Sequence, residues 1–531
     1  MRRLAALALV AACGGNDAPD ASAVSLVLDI PNGMLDPQGY TSVDLVLHER
    51  TGDVTRTASI TEGGSFALDR IDPSASVAIE ATLRNQSGAA VGYGRTAIAA
   101  ALAEGAQITV PVRRPIAYFA GPVSRDADGN PDTAAQHWTL VPATYSDLSS
   151  GAPLDGQAQV GSNVVLVVAA GPSLYAISQS ISDPGGTLTG AARVTPIAAA
   201  DHQAGSALAG AMTGAVLDGA GSDDGATLVI GTASQLSAID TASGAARQLA
   251  DGSFARVALV ASDTGELAAV AIRNRGGAAG PCASSAELWW ATLTGAGAGA
   301  GRMIATGGFA DVAGDRGHAY YVDACTGELG EVTAAGARVL RTLPGTGGTG
   351  GAGAGRPTAL AVSNGQAYVG VESPPASASA PATASLLVVS IATGDAARTL
   401  WSEGAQQVLD VRSAPEARRQ LNASSVVFGQ LEVGAGGDYV ALTTSAHFHG
   451  ARIPEVSFPE TTVDTEELRV FDAVSGGVIQ RYRSWCDGVV IRVTSSEIGG
   501  WECAAATGQS APASDALNHH ISSMTFLLGK K

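Results

Sequence analysis

The segment DADGNPD, residues 126–132, combines residue types and a spacing that could do chemistry. Asp126, Asp128, Asn130 and Asp132 stand at alternate positions, and Gly129 allows a sharp bend among them. Carboxylate and amide oxygens at this spacing can surround one Ca²⁺ ion. The segment therefore predicts a calcium site, and calcium is the cofactor that the sequence suggests. The alternative, which we favour, is a solvated turn of Asp, Asn and Gly.

The segment resembles the first half of the calcium loop of EF-hand proteins, with two departures. Gly129 is the fourth residue of the segment, whereas the EF-hand loop has its glycine at the sixth position. His137 stands where the bidentate glutamate of that loop would lie, twelve positions along.

Two histidines in AHFHG could also bind a metal. His447 and His449 share one face if this segment is a strand, and two imidazoles can ligate zinc or copper. A third ligand cannot be identified from the sequence, so we favour surface histidines without a metal. The pair begins a long insertion, residues 446–466, and loops of that length tend to be functional.

Aromatic and acidic side chains suggest a sugar site less specifically. Four tryptophans could stack on sugars: Trp289, Trp290, Trp485 and Trp501. Large aromatics in a repeated array are, however, more typical of the core. Glu466 and Glu467 are adjacent, which sends them to opposite faces of a strand.

Several classes of chemistry are excluded by composition. The only lysines are Lys530 and Lys531, so neither a P-loop lysine nor an internal Schiff-base lysine is available. A Gly-x-Ser-x-Gly nucleophile motif is absent. The formal net charge is −18, and no cluster of basic residues interleaved with aromatics offsets it, which argues against nucleic-acid binding.

The cysteines indicate an oxidising compartment. Besides Cys13 there are four, an even number without a C-x-x-C pair: Cys282, Cys325, Cys486 and Cys503. Three pairings are possible. We favour Cys486 with Cys503, because residues 481–503 read as two strands joined by a turn, and Cys282 with Cys325 then follows.

The N-terminus reads as an export signal. Arg2 and Arg3 precede a short apolar stretch and two small residues, and the stretch is too short to span a membrane. Val10-Ala11-Ala12-Cys13 resembles the lipobox of bacterial lipoproteins, which implies lipidation of Cys13 and a stable membrane anchor. Residues 1–12 would be the signal peptide and 13–23 a flexible tether. Gly14 follows the cysteine instead of the Asp that resembles an inner-membrane retention signal, so we expect the outer membrane.

Residues 24–112 read as about seven short alternating strands separated by turns, which predicts a β-sandwich. In SVDLVLHE, for example, Val43, Leu45 and Leu47 share one face. RTAIAAALAEG could instead form a short helix. The strand layout resembles the immunoglobulin-like or transthyretin-like modules of exported bacterial proteins. The composition, 46% apolar and 15% charged, fits a globular protein of two or more domains.

Residues 115–531 repeat one unit: an apolar strand, a polar turn with Thr or Ser and Gly, and a second strand. Copies begin at residues 236, 319, 386 and 468, and looser copies begin at 174 and 288. Repeated sheets of this kind pack on their neighbours, and a ring buries both faces. The repeat resembles the quinoprotein-like and YVTN-type β-propellers. We expect about seven blades, with SSMTFLLG near the C-terminus completing a blade begun near IAYFAGP; an irregular second sandwich is the alternative.

Together these features predict an all-β, lipid-anchored and extracytoplasmic cell-envelope protein that acts as a binding or scaffold module for an envelope protein or glycan. The alternative is a propeller-type enzyme, a hydrolase, lyase or quinone-dependent dehydrogenase, with a metal near the central channel. Acidic or basic side chains that converge at the mouth of the ring would favour the enzyme, and a mixed or loop-covered mouth would favour binding.

Overall fold

The computed structural model divides the chain into two compact units. One unit is Met1–Pro115 with Asp263–Gly265, and the other is Ile116–Ser262 with Glu266–Lys531. The structure describes residues 24–29, 41–49, 52–59, 65–68, 78–84, 90–95, 107–113, 116–120, 141–144, 163–171, 173–181, 188–197, 204–208, 210, 212–261, 266–274, 286–295, 298–315, 317–346, 354–377, 379–392, 396–411, 414–434, 437, 439–448, 463–473, 476, 478–488 and 523–526.

The first unit contains seven described strands, at the positions that the alternating pattern predicts. They are Val24–Asp29 (β1), Ser42–Glu49 (β2), Gly52–Ser59 (β3), Ser65–Leu68 (β4), Ala78–Arg84 (β5), Ala90–Arg95 (β6) and Gln107–Arg113 (β7). Their hydrogen bonds join them in the order β3-β2-β5-β6-β7-β1-β4, and only the β1–β7 pairing is parallel. Val43, Leu45 and Leu47 are buried, as predicted. The division into two packed layers is not confirmed, and the residues of the alternative helix lie almost wholly outside the described ranges.

The second unit is built of short antiparallel strands, and the described residues contain no helix. Its strands are Ile116–Ala120 (β8), Val141–Thr144 (β9), Asn163–Ala170 (β10), Ser173–Ile181 (β11), Leu188–Ile197 (β12), Val216–Gly221 (β13), Thr227–Thr232 (β14), Gln235–Asp240 (β15), Ala246–Asp251 (β16), Ser253–Ala261 (β17), Leu267–Asn274 (β18), Ala286–Thr292 (β19), Arg302–Gly307 (β20), Phe309–Asp315 (β21), His318–Asp323 (β22), Glu328–Thr333 (β23), Gly336–Thr342 (β24), Arg356–Ser363 (β25), Gln366–Ser373 (β26), Thr383–Ser390 (β27), Arg398–Gly404 (β28), Gln406–Val411 (β29), Ala414–Asn422 (β30), Ser425–Val433 (β31), Tyr439–Phe448 (β32), Val463–Asp472 (β33), Val478–Gly488 (β34) and Ser523–Phe526 (β35).

These strands form a β-propeller with six blades of consecutive strands. Blade 1 is β10–β12, and blades 2 to 5 are β13–β16, β17–β20, β21–β24 and β25–β28; blade 6 is β31–β34. The expectation of about seven blades is corrected to six. Counting apolar runs cannot separate a blade from the closing sheet β35-β8-β9, which joins the two ends of the unit. The predicted pairing of SSMTFLLG with IAYFAGP is present there, because β35 pairs with β8.

The first strand of each blade lies innermost, and these strands contact one another around the ring. Each innermost strand contacts the next in the order β10, β13, β17, β21, β25 and β31. Strand β35 of the closing sheet contacts both β10 and β31. Five hydrophobic clusters lie between successive blades, each drawing buried side chains from two neighbours. A single four-stranded sheet cannot cover both of its faces, so each blade completes the core of the next. The irregular second sandwich is therefore wrong.

The predicted hairpins are present, with the chemistry expected of their turns. Between β15 and β16, Asp240 Oδ1 accepts the backbone N–H of Ser243 and its hydroxyl, both at 2.7 Å, and Gly244 has φ +70°. Only glycine adopts such a φ without steric cost. The hydrogen bonds from Ser243 lower the pKa of Asp240.

One hairpin is displaced relative to the others, which explains the irregular repeat spacing. The hairpins that begin at 236, 386 and 468 join the third and fourth strands of a blade, but the one at 319 joins the second and third strands of blade 4. The step from 386 to 468 is long because the extra hairpin β29–β30 is inserted between blades 5 and 6. The Gly-rich and Pro/Ala/Ser-rich segments lie between strands, as predicted.

Within the described residues, no helix has the length and apolar character needed to cross a membrane.

Candidate functional site

The long connections of the propeller gather at one of its two ends. Strand direction alternates within a blade, so each connection between second and third strands lies at the end where the innermost strands begin. Residues 275–285, 374–382 and 449–462 make three of these connections, and the β29–β30 hairpin leaves the ring at the same end. We call this end the loop face. Loops on a rigid scaffold are the usual position for binding residues.

The base of the β29–β30 hairpin is tied to the loop face by a closed set of backbone hydrogen bonds. Ala382 N–H donates to Ala423 O, Ala423 N–H to Ala405 O, and Ala405 N–H to Ala382 O, at 2.8, 2.9 and 2.9 Å. Ala382 and Ala423 are buried. The Pro/Ala/Ser-rich connection and the inserted hairpin therefore form one supported element above blade 5.

His447 lies at this face, near the end of β32, where its carbonyl accepts the N–H and hydroxyl of Ser424 at 2.8 and 2.9 Å. Its side chain is half-buried. His449 lies outside the described residues, so their predicted common face is untested. Among the described residues, no group of three or more His, Cys, Asp or Glu side chains is placed to hold a metal ion.

The predicted calcium ligands Asp126, Asp128, Asn130 and Asp132 lie outside the described residues, as does Cys13, and both assignments stay predictions. Of the four other cysteines, Cys325 lies in the β22–β23 connection of blade 4. Cys282 lies outside the described residues, so its disulfide with Cys325 stays a prediction. Cys486 lies on β34, but Cys503 is beyond the described ranges.

A belt of polar contacts crosses the blade interfaces near the start of the innermost strands. Each of these strands is an edge of its own sheet, so some of its N–H groups have no partner within the blade. Carboxylates of the preceding blade accept them at 2.8 Å, in the pairs Asp218–Val257, Asp311–Leu360 and Glu372–Phe428. The amide oxygen of Gln179 accepts Val216 N–H at 3.0 Å in the same way. We call this set the inner belt.

A bulge in the innermost strand positions the belt residues Asp218 and Asp311, whereas Gln179 and Glu372 lie on second strands. The pairing with the second strand shifts by one residue at Val216/Asp218, Phe254/Arg256 and Phe309/Asp311. Asp218, Arg256 and Asp311 therefore occupy equivalent positions directly after the bulge in blades 2, 3 and 4. Arg256 Nε lies 3.4 Å from Asp311 Oδ1, so this ion pair crosses the interface between blades 3 and 4.

Glu372 is a belt residue whose charge is costly. Burial raises its pKa, although hydrogen bonds from Phe428 N–H and the Thr358 hydroxyl and the charge of Arg356 oppose that effect. When folding raises the pKa of a carboxyl, the protein loses stability as the pH rises from the unfolded-state pKa through the folded-state pKa. The ionised form therefore destabilises the folded state at neutral pH.

Glu372→Gln should raise the stability of the protein slightly at pH 7.5, because the amide oxygen can still accept both hydrogen bonds without carrying charge. The gain should shrink as the pH falls through the raised pKa, because the wild-type carboxyl then becomes protonated. Urea denaturation at several pH values measures both effects. Glu372→Ala is the matched control, and it should be less stable than wild type at every pH; equal losses in both variants would contradict the assignment.

Two arginine–glutamate–tryptophan clusters, each with a buried glutamate, support the blades. In blade 3, Glu287 Oε2 accepts Trp289 Nε1–H at 2.9 Å and Arg273 at 3.3 Å, and the guanidinium lies 5.3 Å from the Trp289 ring centroid. Trp289 also packs edge-to-face on Phe254, 5.8 Å between centroids. The prediction that such aromatics serve the core holds for Trp289. Trp485 and Trp501 have no described side chains.

The second cluster lies between blades 5 and 6. Arg469, 7% exposed, forms ion pairs with Glu467, also 7% exposed, and with Glu403 at 3.2 Å. It also donates to Thr444 Oγ1 at 2.9 Å and stacks 4.8 Å from the Trp401 ring centroid. Glu467 is thus an inward structural carboxylate, and nothing is described of the Glu466 side chain.

Arginines at the start of the outermost strands clasp the following blade. Each donates to the carbonyl of the residue directly after the third strand of that blade: Arg247 to Leu293 at 3.3 Å, Arg398 to Ala473 at 3.2 Å, and Arg302 to Ala334. The sequence carries a signal for these arginines, because the copies at 236 and 386 both contain Ala-Ala-Arg shortly after their turn. These arginines were not predicted from it.

These contacts define a class: an acidic β-propeller whose described inner carboxylates hold blades together beneath a loop-bearing face. The chain matches no protein-family model and no curated protein. Similar solved structures include the periplasmic gluconolactonase of Pseudomonas aeruginosa, with 15% identity over 73% of this chain and 97% of that chain and a TM-score of 0.39. A candidate 6-phosphogluconolactonase of Bacteroides fragilis has 9% identity, coverage of 78% and 98%, and a TM-score of 0.38.

A third similar structure is apo AztD of Citrobacter koseri, with 12% identity, coverage of 69% of this chain and 94% of that chain, and a TM-score of 0.34. At these identities and TM-scores the similarities carry no argument about activity.

Proposed function

We propose that the protein is a lipid-anchored binding module of the bacterial cell envelope, which presents the loop face of its propeller to an envelope protein or glycan. The anchor would be acylated Cys13, and the outer membrane its location. The observation that carries the binding role is the use of the inner-belt carboxylates. Asp218, Asp311 and Glu372 each accept a backbone N–H of the next blade, so they act as structural acceptors.

The loop face supports the same role. A catalytic mouth needs acids and bases directed at a bound substrate, whereas Asp218, Asp311 and Glu372 accept hydrogen bonds from the next blade. The accessible surface at the start of β31 instead combines a polar and an apolar side chain: Ser425 is exposed, and Val427 is 50% exposed. The connection 374–382 and the β29–β30 hairpin lie at the same end of the propeller.

The anchor and the binding face can be tested in one strain series. Cys13→Ser should abolish fatty-acid labelling and move the protein to the soluble fraction. A photo-crosslinking residue at Ser425, on the loop face, should give a discrete adduct in living cells. The same residue at Ala242, exposed in the β15–β16 turn at the opposite end, is the matched control and should give none.

Persistent lipid label in Cys13→Ser would refute the anchor. Equal adducts from Ser425 and Ala242, or none, would refute the binding face. Stoichiometric metal in the purified protein, together with turnover of a sugar ester or lactone, would replace the binding role with the propeller-enzyme alternative.

A further inference from the structure

The second, third and fourth strands of blade 6 are longer than those of blades 2 to 5. They have 10, 10 and 11 residues, whereas the equivalent strands have at most 8. The extra length lies at the loop face, because four residues of β31 precede its bulge, against one or two in the first strands of blades 2 to 5. The sheet of blade 6 therefore extends further than its neighbours at this end.

The strand register places two rows of residues on one face of this extension. Residues that stand opposite one another on antiparallel strands share a face of the sheet, and the face alternates along each strand. The pairings of β31 with β32, β32 with β33 and β33 with β34 run through both rows without a shift. The first row is Ser425, His447, Asp464 and Asp487, and the second is Val427, Ser445, Glu466 and Trp485. We call the face that carries these eight residues the blade 6 platform.

The blade 6 platform is accessible at β31, whereas the opposite face of that strand is buried. Ser425 is exposed and Val427 is 50% exposed on the platform side. Val426 and Phe428, on the other side, are buried in the hydrophobic cluster that blade 6 shares with blade 5. The next row on the platform side is also buried, since Leu468 is 0% exposed. The platform is therefore the part of its sheet face that extends beyond the packed ring.

The residue types of the platform match a ligand that carries many hydroxyl groups. The eight residues include one indole, one imidazole, three carboxylates and two hydroxyl groups, but neither Lys nor Arg. Sugar rings stack their C–H faces on an indole, and their hydroxyl groups donate short, charge-assisted hydrogen bonds to carboxylates. Trp485 and Glu466 are direct cross-strand neighbours, whose Cβ atoms lie about 5 Å apart, and the two rows are about 7 Å apart. One oligosaccharide can therefore span an indole and several carboxylates.

We propose that the blade 6 platform binds a neutral oligosaccharide. Trp485 would stack on one sugar ring, and Asp464 and Glu466 would accept its hydroxyl groups. Three carboxylates without a basic residue among them would repel phosphorylated, sulfated or uronate-containing glycans, so the ligand is neutral. Sequence patterns indicated His447, Glu466 and Trp485 only separately. The inference rests on the proposed function, and it narrows the partner from an envelope protein or glycan to a glycan.

The test is isothermal titration calorimetry in EDTA on the chain from residue 13 with Cys13→Ser, so that no acyl chain contributes. The probes are cellohexaose, maltohexaose, mannohexaose and chitohexaose, with hexagalacturonate as their anionic counterpart. We expect at least one neutral probe to bind and hexagalacturonate not to bind. Trp485→Ala should weaken binding about tenfold, the upper end of the range for one aromatic contact. Asp464→Asn with Glu466→Gln should also weaken it about tenfold, because the charge assistance is lost.

Two further variants control for folding and for charge. Trp485→Phe keeps a stacking ring and should bind within about threefold of wild type, which separates lost stacking from lost folding. Asp223→Asn with Asp224→Asn is the matched control for the acidic pair. It removes two exposed charges from the β13–β14 turn, at the opposite end of the propeller, and should leave binding unchanged.

Absence of binding to every neutral probe, full binding by Trp485→Ala, or an equal loss in the Asp223 and Asp224 control would overturn the inference. Binding that appears only when calcium replaces EDTA would overturn it as well, because a cation and not the carboxylates would then hold the sugar. A protein adduct at Ser425 in cells, without glycan binding, would leave the proposed binding face standing while this inference fails. Glycan binding without any adduct at Ser425 would have the opposite meaning.

Discussion

Asp311→Ala should lower the free energy of unfolding by about 3–5 kcal/mol, the range for breaking a buried ion pair from one side. Asp311 is 5% exposed and accepts the N–H groups of Val312 at 2.9 Å and of Leu360 at 2.8 Å. Its removal leaves those donors without this acceptor and leaves Arg256 without this carboxylate. The effect should be large because one side chain joins three successive blades.

Urea denaturation followed by tryptophan fluorescence measures this loss. Asp311→Asn keeps the shape and one acceptor oxygen, so its loss should be smaller. Asp224→Ala is the matched control, since Asp224 is exposed and accepts only local hydrogen bonds in the β13–β14 turn. A midpoint for Asp311→Ala that equals that of Asp224→Ala would show that the inner belt does not hold the blades together.

The repeat could be predicted from sequence because its signals are local. Asp240 and Gly244 fix a hairpin within five residues, and the apolar strands on either side are visible as runs. The inner belt could not be predicted in this way. Its acceptor and donor pairs are separated by 39, 49 and 56 residues, and a lone Asp in an apolar strand gives no sign of which blade it meets.

The number of blades was overestimated for a related reason. The closing sheet produces apolar runs like those of a blade, but it is assembled from the distant ends of the unit. The displaced hairpin at 319 and the inserted β29–β30 hairpin remove the constant period that would have distinguished it from a blade. Similarly, Arg469 and Trp401 come from different blades, so nothing in either segment indicates a cluster.

Arg469→Met should destabilise the protein by about 3–5 kcal/mol, since methionine keeps much of the volume but leaves buried Glu467 without its cation. The arginine also joins blades 5 and 6 through Glu403, and its stacking on Trp401 would be lost. Unlike the inner belt, this cluster holds the outer part of the interface, so its loss tests whether the last blade depends on that contact.

A second substitution separates the buried charge from the lost packing. Arg469→Met with Glu467→Gln should recover much of the loss, because the remaining group is neutral. Glu403→Gln alone should cost about 1 kcal/mol or less, since Glu403 is 39% exposed and its ion pair is screened by solvent. If the double variant is as unstable as Arg469→Met, the energy lies in the Trp401 stacking and the side-chain volume. In that case the pair with Glu467 would contribute little, and packing between blades 5 and 6 would be what holds the last blade.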